Sequence, residues 1–213
     1  ERALAIYTRL GHFRFASMTQ CNLAYTRVML GEGALALEDL VRTLAVARRV
    51  RLKWAIANAL STIGLVRLES AQSAEALAAF EEAIPAARDA GDNSMLAMLT
   101  CYRAAAHAMR DDVLRSVADL QEARAGLHEG HATFFFVLEG LVEIARGRVA
   151  LAAGDEAEAK AQFASARQRR DKAQGWWDRS LPAPAPHAGS RFSGVALPLL
   201  ARALVRNGLL EPA

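Results

Sequence analysis

Residues 63–83 read IGLVRLESAQSAEALAAFEEA and contain two short amphipathic helical patterns separated by a polar break at residues 70–73. After the break, Ala76, Phe80 and Ala83 are spaced four and three residues apart. Residues at these spacings lie on one face of an α-helix. The stretch therefore predicts two helices joined by a tight turn, with the second helix packing through this small-large-small face.

The same features recur at regular intervals along the chain. Gly64 is the small residue of the first helix, at a point where two helices must approach closely. The corresponding small residues follow one another at steps of 40, 40 and 43 and are Ala24, Gly64, Ala104 and Gly147. The large residues that are predicted to fill the space between successive units are Leu40, Phe80, Leu120 and Phe163. We interpret the pattern as a helical repeat.

A small residue before the turn, followed by Ala-x3-Phe-x2-Ala, resembles the tetratricopeptide repeat, a helix–turn–helix unit of about 34 residues. The resemblance implies an all-α, right-handed solenoid of antiparallel helix pairs. Longer repeats that are rich in Ala and Arg are similar to those in the sensor arms of bacterial signal-transduction ATPases and transcription activators. In that family the solenoid receives a peptide, protein or small ligand and restrains an attached effector domain.

The chain is predicted to form a single helical-repeat domain. Ala3 and Tyr7 have the spacing of Ala76 and Phe80, so the chain is predicted to begin with the second helix of a truncated repeat and to be a piece of a longer protein. The predicted segments are a truncated repeat at 1–14, repeats at 15–54, 55–92, 93–131 and 132–174, a proline-rich connector at 175–190 and a capping helix at 191–213.

Local signals refine these segments. The length beyond the usual repeat is predicted to lie in the second helices, and Pro85 is expected to kink or break one of them. Residues 90–93, AGDN, combine a helix-ending glycine with capping residues for the next helix. Three alternating prolines, Pro182, Pro184 and Pro186, favour an extended connector.

Composition limits the class of protein. The formal net charge is +3, from 26 basic and 23 acidic residues, which does not favour a nucleic-acid partner. Cys21 and Cys101 are too few for a disulfide framework and are typical of a reducing compartment. No apolar run reaches the roughly 18 residues of a membrane span. The sequence predicts a cytoplasmic protein without membrane association and leaves its oligomeric state open.

The tetratricopeptide resemblance implies a binding groove. In that family the first helices of successive repeats line a concave surface that binds extended peptides or helices. Carried over to this chain, the groove residues are Met18, Cys21, Asn22, Tyr25, Asn58, Ser61, Leu65, Leu68, Met98, Cys101, Tyr102, Ile144 and Arg148. A groove dominated by Met, Tyr and Leu suits an apolar helix or hydrophobic peptide. The implied partner is a protein or peptide, including another domain of the same polypeptide.

The sequence shows no motif for catalysis. His128 and His131 invite a zinc interpretation, but the spacing is not H-E-x-x-H, and an exposed loop between repeats is the simpler interpretation. Cys21 and Cys101 recur 80 residues apart with neighbouring methionines, which we interpret as apolar packing rather than a copper(I) site. No phosphate-binding loop or Ser-His-Asp arrangement emerges. We therefore predict a non-enzymatic domain with no cofactor and no metal.

Two alternatives to a protein-binding groove remain open. One is a sensor domain that receives a peptide or small ligand and controls an attached ATPase or effector domain. The other is an adaptor that uses two basic clusters, at residues 48–53 and 167–172, to bind phosphates or an acidic partner. Trp176 and Trp177 either anchor the connector on the core or form an exposed contact patch.

Overall fold

The computed structural model describes residues 2–30, 32–124, 126, 132–180, 200–201 and 203–209. Every regular element in these ranges is helical, which confirms the predicted all-α fold class. The elements are α1 (Arg2–Arg9), α2 (Phe13–Met29), α3 (Gly33–Arg49), α4 (Lys53–Glu69), α5 (Ser73–Asp89), α6 (Asn93–Met109), α7 (Val113–Arg124), α8 (Ala132–Ala152) and α9 (Glu156–Ser180). Residues 200–201 and 203–206 are also helical.

The chain divides into two compact units, Glu1–Arg103 and Ala104–Ala213. In the first unit, α2 packs against α1, α3 and α4, and α4 packs against α3 and α5. In the second unit, α8 packs against α7 and α9. From α1 to α5 and from α7 to α9, helices that follow one another in sequence are therefore neighbours, and two successive first helices, α2 and α4, also touch. This packing is consistent with a helical repeat.

Three-residue turns join the helices at a regular spacing that the sequence pattern did not reveal. Turns with a left-handed middle residue, at φ between 53° and 69°, are centred on Gly11, Arg51, Ala71, Gly91 and Asp111. In each turn the N–H of the third residue bonds to the carbonyl five residues earlier, which is the Schellman arrangement that ends a helix. The turn centres are thus separated by multiples of 20 residues, which is half the length of the repeat.

The predicted helix boundary at residues 90–93 is confirmed. Gly91 has a φ of 69°, and Asp92 Oδ1 accepts a hydrogen bond of 2.9 Å from the N–H of Met95. Asp112 and Asp155 cap α7 and α9 in the same way, through the third N–H of each helix. These carboxylates satisfy N–H groups that the first helical turn leaves without backbone partners.

Left-handed turn centres predict a stabilising substitution. Ala71 is exposed and has a φ of 59°, a conformation that costs an L-residue with a Cβ about 1–2 kcal/mol. We expect Ala71→Gly to raise the free energy of unfolding by about 0.5–1 kcal/mol after the larger entropy of glycine in the unfolded chain is counted. Gly91→Ala is the reciprocal control, since a Cβ there would meet nothing within 4 Å and only the backbone conformation changes. Urea midpoints that move in the same direction for both variants would contradict this account.

The predicted small-large contacts are present. A Cβ built on Gly64 would overlap the ring of Phe80, and one built on Gly147 would overlap the ring of Phe163. Phe80 is fully buried. In the second unit, Ser116 lies where other repeats have alanine, and its buried hydroxyl donates to the carbonyl oxygen of Ala104 at 2.7 Å. In two of the repeats a phenylalanine ring is therefore seated directly on the backbone of the preceding helix.

The extra repeat length is not confined to the second helices, contrary to the prediction. The first helices α2, α4 and α6 and the second helices α3 and α5 each have 17 residues. Nor does Pro85 break its helix, because α5 continues from Ser73 to Asp89. Pro85 and Glu81 are both exposed, so water can hydrate the Glu81 carbonyl that has lost its N–H donor. The exposed position explains why the helix tolerates the proline.

The correspondence of Ala3 and two of the predicted repeat boundaries also need correction. The turn centre Gly11 precedes its equivalent Gly91 by 80 residues, so Ala3 corresponds to Ala83 and not to Ala76. The error arose because two alanines seven residues apart lie on one helical face. The predicted boundaries at residues 15 and 55 each fall two residues after the first residues of α2 and α4.

The proline-rich connector begins later than predicted. We expected extended chain from residue 175, but α9 continues to Ser180. Residues 175–180 contain no proline, so nothing in this stretch interrupts the helix. The rest of the connector and residues 191–199 of the predicted capping helix lie outside the described residues. The described part of that helix buries Leu200 and Leu204, and Leu200 Cδ2 lies against Gly140 of α8.

Candidate partner-binding surface

Most of the predicted groove residues belong to the core. Eight of them have relative exposures of 9% or less and are Cys21, Ser61, Leu65, Leu68, Met98, Cys101, Tyr102 and Ile144. Because a residue at this depth cannot meet a partner without rearrangement, the groove is not open along these positions. At these eight positions the first helices pack against neighbouring helices and contribute to the core.

The remaining five groove residues are accessible to different degrees. Asn22 is exposed, while Met18, Tyr25 and Asn58 are half-buried. Arg148 is held inside the second unit, where its guanidinium bonds to Asp111 Oδ1 at 2.6 Å and to the carbonyl oxygen of Ala108 at 2.9 Å. Its contacts join α8 to the end of α6, which is a structural role. Met18 and Asn22 therefore remain as the more open part of the predicted site.

Aromatic side chains that are exposed or half-buried lie near the beginning of α2. The rings of Tyr7 and Phe15 stack with centroids 5.3 Å apart and an interplanar angle of 28°. His12 meets Phe15 edge-on at 6.3 Å. The Arg14 guanidinium lies over the Trp54 ring, 5.2 Å from its centroid. We call these five residues the aromatic surface.

The repeat explains how the aromatic surface is assembled. Arg14 and Trp54 are 40 residues apart and occupy equivalent positions on α2 and α4, two helices that pack side by side. Phe15 is on the face of α2 that also carries Met18 and Asn22, three and seven residues further on. The aromatic surface therefore continues into the open part of the predicted groove.

The composition of this surface is typical of binding sites. Tyrosine, tryptophan and arginine are enriched among residues that dominate protein interfaces. Phe15 is 46% exposed although two rings hold it in place. The sequence carries a signal for it, since residues 7–15 concentrate aromatic side chains, YTRLGHFRF. The spacing of Ala3 and Tyr7 predicted a truncated helix for this segment and did not indicate that its rings meet at the surface.

A cavity of about 380 Å³ lies beside α2, between α1, α3 and the beginning of α4. Its apolar walls include Leu4, Phe13 and Val46, and its polar lining includes Gln20 and Arg49. The volume is within the range of about 300–1,000 Å³ that small-molecule sites occupy. This cavity was not predicted, because it is formed by side chains from four helices that share no sequence motif.

The two basic clusters are partly neutralised by ion pairs. Arg48 pairs with Glu82, and Lys53 Nζ lies 2.9 Å from Asp89 Oδ2. In the second cluster, Arg169 pairs with two glutamates of α8. These pairs reduce the positive charge that the clusters present to phosphates.

Cys21 and Cys101 are not joined by a disulfide, and both are buried. Burial raises the pKa of the Cys21 thiol to about 12, although hydrogen bonds with Thr62 and Ser17 act in the opposite direction. A thiol with so high a pKa stays protonated near neutral pH and is a poor nucleophile or metal ligand. Cys21 therefore acts as a small core residue, and Cys101 is equally buried.

Burial of the Cys21 thiol and the Tyr25 phenol predicts that the chain is less stable in alkali. The folded-state pKa of Cys21 lies above its ordinary 9.0, and burial also raises the pKa of Tyr25 from 10.0 to about 12. Unfolding then releases protons between about pH 9 and pH 12, so stability is full below this window and falls as the pH rises through it. We expect a lower urea midpoint at about pH 11 than at pH 8, with a smaller drop in Cys21→Ala. An unchanged drop in Cys21→Ala would contradict the contribution of the thiol.

A polar cluster that contains a histidine and two aspartates lies between α6 and α7. The ring of buried His107 has Nδ1 3.7 Å from Asp112 Oδ2 and Nε2 3.9 Å from Asp119 Oδ2. Ser116 is close by in sequence, but its hydroxyl is fully buried and donates to the carbonyl of Ala104. The serine is therefore not placed as a nucleophile, and the cluster joins two helices.

No protein-family model matches the sequence, and no significant match is found among curated proteins. The tetratricopeptide resemblance therefore rests on the repeat pattern of this chain. Across the described ranges, no group of three or more His, Cys, Asp or Glu residues is arranged to hold a metal ion. None of the helices in that part of the chain has both the length and the hydropathy of a membrane span. His128, His131 and the side chains of Trp176 and Trp177 lie outside the description.

Proposed function

We propose that this chain is a non-catalytic interaction domain whose partner binds to the aromatic surface of the first unit. The observation that carries the proposal is Phe15, which stacks on Tyr7, meets His12 edge-on and is still 46% exposed. A ring that its neighbours already hold in place loses little conformational entropy when a partner covers it. Burial of the exposed ring area would then contribute directly to affinity.

The charge around the aromatic surface favours an acidic partner segment. Helices α1 and α2 contain arginines but no aspartate or glutamate. Arg27 is paired with Asp39 of α3, whereas Arg14 lies over Trp54 with its guanidinium at the exposed surface. An apolar segment flanked by carboxylates would match both the rings and the positive charge. An amphipathic helix satisfies these conditions and would continue along α2 toward Met18.

The wider setting of the domain is part of the proposal. The 40-residue spacing and the rings seated on Gly64 and Gly147 support a right-handed, tetratricopeptide-like solenoid. By analogy with the bacterial sensor arms that the repeats resemble, the domain would be cytoplasmic. Its partner would be another protein or an attached signalling or transcription-regulatory domain.

Substitutions on the aromatic surface test this function. We expect Phe15→Ala combined with Trp54→Ala to weaken partner binding by about 2 kcal/mol or more, roughly 30-fold in Kd, since residues of this type dominate interfaces. Leu30→Ala is the matched control, because Leu30 is 71% exposed at the other end of α2. Affinity is measured by titration with the partner recovered from source lysate. Equal recovery and equal affinity for both variants would contradict the proposal.

A second candidate function is a small-ligand receptor, and the cavity beside α2 favours it. Its apolar walls and its lining residues Gln20 and Arg49 suit an apolar molecule with an anionic or hydrogen-bonding end. Octanoate is a suitable probe because it has both features. If the cavity is a receptor site, octanoate raises the melting temperature of the chain without any protein partner.

The control for this candidate fills the cavity. Val46 lines it but is 38% exposed, so Val46→Trp adds bulk from the open side. We expect this variant to lose the effect of octanoate, while Val41→Trp, at an exposed position of α3 that does not line the cavity, retains it. The same response in both variants would place octanoate elsewhere and remove the support for a receptor.

A further inference from the structure

One face of α2 is open although the equivalent faces of the next two first helices, α4 and α6, are buried. In α4 the four positions of this face are at most 7% exposed and are Ala55, Ala59, Thr62 and Val66. The first three positions are also buried in α6, where they are Met95, Leu99 and Tyr102. In α2 the second position is half-buried and the others are exposed, and the residues are Phe15, Thr19, Asn22 and Thr26. Their spacings of four, three and four place them on one side of the helix, and we call them the stacking face.

The preceding repeat covers this face in α4. Helix α2 packs against α4, and Cys21 of α2 forms a side-chain hydrogen bond with Thr62. From α3, Gly33 approaches Val66, whose Cγ1 would lie 3.8 Å from a Cβ built on the glycine. The stacking face of α2 has α1 beside Phe15 but is exposed further along. A helix placed on α2 as α2 is placed on α4 would therefore complete the cover.

The composition of the stacking face suits a cover that comes and goes. Thr19 and Thr26 occupy positions that are alanine, valine or leucine in α4 and α6, so a permanent repeat helix is not what this face is built to meet. Thr19 Oγ1 donates to the carbonyl oxygen of Phe15 at 2.8 Å, and Thr26 Oγ1 donates to that of Asn22 at 3.0 Å. A hydroxyl that already donates within its own helix loses little when a partner covers it. The buried Thr62 makes the same kind of bond within α4.

Charge distinguishes the possible occupants. Helices α1 and α2 contain arginines but no aspartate or glutamate. If two copies of the chain met through their stacking faces, these arginines would face one another without carboxylates to pair with. A helix that carries carboxylates would instead be attracted. The charge therefore favours an acidic partner over a second copy.

We propose that an acidic amphipathic helix of a partner protein docks on the stacking face, in the position that α2 holds against α4. The repeat supplies the register of this helix. Since α2 places Arg14 over Trp54, the docked helix places a carboxylate over Arg14. Since α2 places Cys21 beside Thr62, the docked helix places a small residue beside Asn22. The inference rests on the function proposed for the aromatic surface, which overlaps the stacking face, and it specifies the partner's helix and its position.

A peptide copied from this chain provides the probe. It has the sequence of α2, Phe13–Met29, with Arg14→Glu, so that a glutamate would meet Arg14 of the intact chain. We expect it to bind saturably to the full chain, as followed by fluorescence anisotropy in a reducing buffer. The unchanged α2 peptide, which brings arginine against arginine, and a scrambled form of the glutamate peptide are expected to bind at least about tenfold more weakly. Equal binding of the three peptides, or no binding of the glutamate peptide, would overturn the proposal.

Substitutions on the stacking face separate docking from general charge attraction. Asn22→Arg with Thr26→Arg adds both bulk and positive charge at exposed positions of this face. The glutamate peptide should bind this variant at least about tenfold more weakly if it docks there, but more tightly if charge alone attracts it. Leu35→Arg with Val41→Arg adds the same charge at exposed positions of α3 and should bind no more weakly than the parent. Melting curves verify that both variants fold, and tighter binding by the first would overturn the proposal.

A comparison of two double variants separates this inference from the proposed function. A partner from source lysate that loses affinity for Phe15→Ala with Trp54→Ala, but not for Asn22→Arg with Thr26→Arg, would support the aromatic surface and overturn the docked helix. Concentration-dependent dimers of the parent that Asn22→Arg with Thr26→Arg abolishes would identify a second copy as the occupant. That result would also overturn the proposal.

Discussion

Replacing Phe80 by alanine is expected to lower the free energy of unfolding by about 3–5 kcal/mol. The ring is fully buried, sits on the backbone of α4 at Gly64 and stacks on Tyr102, with centroids 5.7 Å apart and an interplanar angle of 26°. Alanine would leave a cavity that faces three helices, and α4 and α5 can close it only in part because their other buried side chains hold them apart. Urea unfolding followed by circular dichroism gives the free energy, and hydrogen exchange in α4 and α5 locates the loss.

The controls for Phe80 test the cause of the effect. Leu114→Ala removes a leucine that is 86% exposed on α7 and should change the free energy of unfolding by less than about 0.5 kcal/mol. Gly64→Ala should destabilise the parent by about 1–3 kcal/mol through overlap with the ring, but much less when Phe80 is already alanine. Additive effects of the two substitutions would show that the ring and the glycine do not share one contact.

Replacing Pro85 by alanine is expected to raise the free energy of unfolding, by an amount approaching about 3 kcal/mol. Alanine restores the N–H that α5 lacks at this position and removes the ring that crowds the preceding turn. The gain is reduced by about 0.4–1 kcal/mol, because proline restricts the unfolded chain. The measurement is the shift in the urea midpoint.

The repeat provides a reciprocal control for this substitution. Residue 45, an exposed alanine in α3, is 40 residues before Pro85 and occupies the equivalent position. Ala45→Pro should therefore destabilise the chain by about the amount that Pro85→Ala stabilises it. A destabilised Pro85→Ala variant would mean that α5 requires a bend at Pro85 for its packing.

Much of the fold could be predicted from the sequence because a close contact between two helices requires a small residue opposite a large apolar one. Gly64 with Phe80 and Gly147 with Phe163 were identified from spacing and are in contact in the structure. The turns were harder, because Arg51 and Ala71 adopt left-handed backbone that their side chains do not favour. The packing around each turn imposes that conformation, and a linear pattern does not contain it.

The candidate site was predicted less well. Burial decides whether a first-helix residue such as Leu68 faces a partner or the core, and burial depends on contacts with helices that are distant in sequence. The aromatic surface depends on Arg14 meeting Trp54 across two helices, a contact that follows from the 40-residue register once the turns are known. The cavity beside α2 has no sequence motif, since it is the space left between four helices.

The central claim is that a partner docks on the aromatic surface, and site-specific photocrosslinking tests it most directly. Benzoylphenylalanine would replace Phe15 in one sample and Leu114, an exposed leucine of the second unit, in another. The account predicts that the residue 15 probe captures one discrete partner from source lysate, that the residue 114 probe does not, and that Trp54→Ala reduces the capture at residue 15. Equal capture by both probes, or capture at residue 15 that is unaffected by Trp54→Ala, would contradict it.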